Sequence, residues 1–82
     1  MNHLAGLKDL IGFLIFLKQK NVFFALAHYG ADSITVTMTL YGERIEIDFF
    51  DDHIEYSRFR GDESVLSDQA VLFALIEEFA RE

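Results

Sequence analysis

The sequence predicts an α+β domain in the order α-β-β-β-β-α, an antiparallel four-stranded meander with N- and C-terminal helices packed on one face. Apolar residues recur every three or four positions near both ends, the period of a helix with one buried face. Between them the period falls to two, and Gly, Asn, Asp and Ser sit where the alternation breaks. At 82 residues, 51% of them hydrophobic, the chain is one domain (1–82) with enough apolar mass for a core. A domain this small is expected to be stable by only about 5 kcal/mol.

Asn2 can cap a first helix running to about Lys20. Leu4, Leu7, Leu10, Ile11, Leu14 and Leu17 form its buried stripe, and Phe13, Ile15 and Phe16 fall largely outside it. Apolar around much of its circumference, this helix is either covered on two sides or exposes a contact patch. Gly6 and Gly12 read as close-packing positions or weak points within it. Asn21 tolerates the left-handed conformation that ends a helix.

Val22–Tyr29 reads as the first strand, followed by a turn at Gly30-Ala31-Asp32-Ser33. In Ile34–Tyr41 the residues Ile34, Val36, Met38 and Leu40 alternate with Thr35, Thr37, Thr39 and Tyr41, one face for a core and one for water. A two-residue turn at Gly42-Glu43 pairs Leu40 with Ile45, Met38 with Ile47 and Val36 with Phe49, and on the other face Thr39 with Glu46 and Thr37 with Asp48. A second turn at Asp51-Asp52 leads into His53–Arg60, pairing Phe49 with Ile54, Ile47 with Tyr56 and Asp48 with Glu55. Arg58 and Arg60 then fall on the core side and must snorkel, pair with acids or lie at a frayed end. After a polar connection at Gly61–Leu66, Ser67 caps a last helix to about Ala80, with Asp68 in its first turn and Leu72, Leu75, Ile76 and Phe79 inward.

The formal charge of −7 is uneven: +1 over residues 1–42 and −8 over residues 43–82. Such a surface repels phosphate backbones and favours basic partners, which argues against direct nucleic-acid binding. Leu10–Leu17 is too short to span a bilayer, and no export signal precedes it, so the cytoplasm is the expected compartment. With no Cys, and with His3, His28 and His53 in no ligand spacing, neither a metal nor another cofactor is expected. Asp51-Asp52-His53 reads as a turn that favours Asp rather than an acid–base site. No nucleophile elbow or phosphate loop appears, so the expected activity is binding, not catalysis.

The expected contact surface is the outward sheet face. Glu46, Asp48 and Glu55 gather there beside Thr37, Thr39 and Ser57, with Asp51 and Asp52 at the adjoining turn and Phe50 and Phe59 as aromatic anchors. Like charges opposed across strands are unfavourable, so folding alone would not choose this cluster.

The block Gly42-Glu43-Arg44-Ile45-Glu46-Ile47-Asp48-Phe49-Phe50 and the following Ile54-Glu55-Tyr56-Ser57-Arg58-Phe59 is similar to a stretch in short bacterial proteins. This small, acidic, cysteine-free chain resembles the immunity proteins of bacterial toxin–immunity systems, such as contact-dependent growth inhibition. The resemblance implies a cytoplasmic inhibitor masking the basic active-site surface of a cognate toxin, often a nuclease. The alternative is a homodimeric assembly or adaptor module joined through Phe13, Ile15 and Phe16 of the first helix.

Overall fold

The computed structural model describes residues 3–59, 65–66 and 68–81, with the side chains of 59 and 65 left out. The architecture is α+β: a helix, an antiparallel meander and a closing helix. A 3-10 turn at Leu7–Asp9 leads into α1, Leu10–Gln19. The strands are β1 (Phe24–Ala27), β2 (Ile34–Leu40), β3 (Glu43–Phe49) and β4 (Ile54–Phe59). A two-residue β5 (Val65–Leu66) pairs with β4, where a polar connection was expected, so the sheet order is β1-β2-β3-β4-β5. The last helix, α2, spans Gln69–Ala80.

The first helix starts later than its apolar spacing predicts. The expected cap, Asn2, lies outside the described residues. Residues 3–6 are not helical; they form a strap held by the distant Gln69 and Phe50 and by the nearby Asp9. The Gln69 side-chain amide clamps Leu4 on both sides, accepting from its N–H at 2.6 Å and donating to its carbonyl at 2.8 Å. The Leu7 N–H reaches the Phe50 carbonyl at 2.7 Å, and the Ala5 N–H the Asp9 carboxylate at 2.7 Å. These partners satisfy backbone groups that a first helical turn would otherwise leave open.

The far end of α1 follows the sequence. Asn21 takes φ 58°, the Val22 N–H bonds the Leu17 carbonyl at 2.9 Å, and the Asn21 N–H bonds the Lys18 carbonyl at 3.1 Å. This is a Schellman ending, completed by burial of Val22. Because Val22 and Phe23 belong to that ending, β1 is shorter than the expected Val22–Tyr29.

The expected stripe of α1 is rotated. Phe13 is fully buried, its ring 5.6 Å from Phe49 and 6.2 Å from Phe73, while Ile11 is 68% exposed. Phe16 is half-buried against Phe73 at 5.6 Å. The cause is α2: the helices lie side by side, touching at Leu4 and Gln69, at the Phe13, Phe16 and Phe73 rings, and at the Lys20–Glu77 ion pair of 2.7 Å. Phe13 thus meets sheet and helix together, which amphipathic spacing on one helix cannot reveal. Of the proposed helix-face anchors, Phe13 is therefore interior, Phe16 is engaged, and only Ile15, 52% exposed, faces outward.

The core unites Leu4, Phe13, Leu17 and Val22 with Val36, Met38, Leu40, Ile45, Ile47, Phe49, Ile54 and Tyr56 of the sheet and Leu72, Phe73 and Ile76 of α2. The β3–β4 register is as expected, Phe49 opposite Ile54, Ile47 opposite Tyr56 and Asp48 opposite Glu55. The β2–β3 register differs by two residues: Leu40 meets Glu43, Met38 meets Ile45, Val36 meets Ile47 and Ile34 meets Phe49. The loop is Tyr41-Gly42 instead of Gly42-Glu43, with φ 55° and 77°, the type I′ geometry whose twist suits a hairpin. Tyr41 accepts the left-handed conformation while its ring packs edge-on against Phe79 at 5.4 Å. A shift of two preserves each residue's face but changes every cross-strand partner.

Ser67, the expected cap of α2, lies outside the described residues. Asp68 caps the helix, its carboxylate accepting from the Ala70 N–H at 3.1 Å, and its carbonyl accepts from the buried Tyr56 hydroxyl.

Candidate functional site

Both helices cover one face of the sheet, and strand pairing collects a set of polar residues on the other. Thr37 lies opposite Glu46, Thr35 opposite Asp48, Thr39 opposite Arg44, and across β3–β4 Glu46 meets Ser57 and Asp48 meets Glu55. Glu46, Asp48 and Glu55 are brought together as expected, all half-buried.

Each of these carboxylates has a local partner. The buried Thr35 hydroxyl donates to Asp48 at 2.5 Å. The Arg44 guanidinium stands 3.8 Å from Glu46. His53 bridges two acids, with Nδ1 at 2.7 Å from Asp52 and Nε2 at 3.2 Å from Glu55. Hydrogen bonding to Asp52 first, and to Glu55 second, holds the imidazole above its usual 6.5, and the same His53 contact depresses Asp52 below 3.8.

Thr35, Arg44 and His53 are the residues that sequence reasoning missed. A signal existed for His53: positions i and i+2 share a strand face, which aligns it with Glu55. Thr35 was hidden by the two-residue register error, which gave Asp48 to Thr37.

The aromatic anchors divide. Phe50 is half-buried, its ring stacked on His53 at 4.5 Å and 3° and its carbonyl committed to Leu7, so it is not a free aromatic. Phe59 lies opposite Arg44 at the end of β4, and its side chain is outside the described residues. Asp51 and Asp52 are exposed at the hairpin tip.

The His53 bridge has a testable pH signature. A raised imidazole pKa stabilises the fold fully below about 6.5, and the contribution is lost as pH rises through the folded value. A depressed carboxyl stabilises above about 3.8 and is lost as pH falls through its folded value. The pairing therefore acts most between those limits. Asp52→Asn is expected to lower the His53 midpoint in an imidazole proton NMR titration; an unchanged midpoint would mean that the two side chains do not pair in solution.

Arg58 falls on the core side, as expected, and resolves its burial by pairing: Nε and one terminal nitrogen both donate to Glu43, the latter at 3.0 Å. Arg60 lies outside the described residues. The Arg58–Glu43 pair lines a cleft of about 500 Å³ with Leu40, Tyr41, Ile45, Leu75 and Glu78. Among the described residues no three His, Cys, Asp or Glu side chains converge to hold a metal ion, and no helix is long and apolar enough to cross a membrane. No protein-family model, curated protein or solved structure matches the chain.

Proposed function

We propose that this chain is a non-enzymatic protein-binding domain that applies its outward sheet face to a basic partner, as an immunity protein masking the active-site surface of a cognate toxin in the cytoplasm. The observation that carries the reading is the direct opposition of Asp48 and Glu55, with Glu46 alongside, on the face that neither helix covers. Placing like charges opposite one another costs stability, and a cationic partner repays that cost on docking. Local partners make this surface better suited to binding: Thr35 and His53 hold the carboxylates in place, which lowers the side-chain entropy lost on contact. A basic nuclease supplies the complementary charge, and the same field steers its approach.

The test is kinetic. Against a basic nuclease domain that binds the wild type, the triple variant Glu46→Gln, Asp48→Asn, Glu55→Gln is expected to associate about tenfold more slowly at low salt. High salt should narrow the difference, because screening removes the steering that the variant lacks. Equal association rates at low salt would refute the acidic-face reading.

A further inference from the structure

The sheet has two edges, and they are built differently. β5 is two residues long, one of the ways a protein protects an edge from unwanted pairing. β1 is four residues long, with no charged residue or Pro between Lys20 and Asp32. The usual blocking devices, Lys, Pro and inward charges, are all absent there. Around it Phe23 is 93% exposed, Tyr29 75% and Leu26 51%. Leu26 pairs with the fully buried Val36 and so belongs to the core face, yet half of it remains uncovered.

We propose that β1 is the edge along which two copies of this chain pair, antiparallel, into one continuous ten-stranded sheet. The inference is independent of the acidic-face reading, and two observations select a second copy as the occupant. The first is charge. Pairing through β1 separates the two β3 strands by five inter-strand spacings, about 24 Å at 4.8 Å each. That exceeds the Debye length of about 8–10 Å at physiological salt, so repulsion between copies of charge −7 is largely screened. Pairing through β5 would bring the two β4 strands, and Glu55 with them, within about 14 Å.

The second is area. Exposed aromatics offer on the order of 150–200 Å² each. Phe23 and Tyr29, four rings over both copies, therefore supply at most about 600–800 Å² before Leu26, Ala25 and the strand backbone are added. The total reaches the roughly 1,000 Å² that a specific interface requires. Antiparallel pairing also keeps both helix layers on one side of the sheet and both acidic faces, uncovered, on the other. The dimer interface thus moves from the helix face expected from sequence, where Phe13 is interior, to the strand edge.

Light scattering coupled to size exclusion tests this on the full chain. The wild type is expected at twice the 9.5 kDa chain mass, with Phe23→Glu and Leu26→Lys at the single mass and with unchanged circular dichroism. Should Leu26→Lys fail to fold, Phe23→Glu decides alone, since its ring is almost wholly outside the domain. Amide exchange supplies the second readout: the outward N–H groups of β1 should gain protection as concentration rises through the dimer midpoint. A wild-type monomer at the highest soluble concentration, variants that remain dimeric, or a dimer whose β1 amides stay unprotected would each overturn the proposal.

Discussion

Phe13→Ala is expected to remove about 3–5 kcal/mol of stability, the range for truncating a fully buried aromatic, and so most of what a domain this size possesses. Phe13 is 0% exposed and touches three rings, Phe16, Phe49 and Phe73, from its own helix, the sheet and the other helix. No single neighbour can collapse into the space it leaves without breaking a second contact, which places the cost high in that range. Urea denaturation followed by circular dichroism should show a folded baseline nearly lost in water. Ile11→Ala, at a 68% exposed position on the same helix, should change stability by less than about 0.5 kcal/mol. The stripe read from sequence reverses this order, so the pair of variants decides which residue carries the packing.

The contrast shows where local pattern ends. Alternation along residues 34–59 was sufficient for the meander and for the face of each strand residue, because a one-residue slip would turn the whole apolar set outward, and the Asp51-Asp52 turn then set the β3–β4 register. A two-residue slip escapes that criterion. The β2–β3 register turns on whether Tyr41 will adopt φ 55°, and in that conformation its ring packs against Phe79, 38 positions along the chain. The start of α1 was equally illegible: nothing near Leu4 announces that a glutamine 65 residues later will hold its backbone.

The candidate site divides in the same way. Which carboxylates share the outward face followed from parity alone, so Glu46, Asp48 and Glu55 were found. Which groups partner them did not, because partner identity depends on register and on side-chain reach. His53 illustrates the second cause, since its two ring nitrogens engage acids on either side of it, a geometry set by the hairpin bend at Asp51-Asp52. The composition of residues 22–29 shows a strand but not how much of it a neighbour covers. Its edge position is implied by the meander order; what composition does not encode is that Phe23, Leu26 and Tyr29 stay uncovered there.

Gly6→Ala is expected to lower stability by about 2–4 kcal/mol, although it adds one methyl group near the chain terminus. A Cβ at this position would lie 2.6 Å from the Asp51 carbonyl oxygen and 2.7 Å from that of Phe50. Both are backbone atoms, one of them already accepting from Leu7, so neither can swing aside as a side-chain tip would. The backbone at φ 155° adds strain for any residue with a Cβ. The clash has one escape, release of the strap. Release is itself costly, since it exposes Leu4 and breaks the Leu7–Phe50 bond and the two Gln69 bonds. Gly42→Ala provides the contrast: it also has positive φ, but nothing stands within 4 Å of its Cβ, so it should cost only about 1 kcal/mol. Thermal melts of the two variants, with amide exchange at Leu4 and Leu7, separate the effects. If Gly6→Ala melts no lower than Gly42→Ala and leaves both amides protected, the strap does not approach the hairpin tip as closely as these distances require.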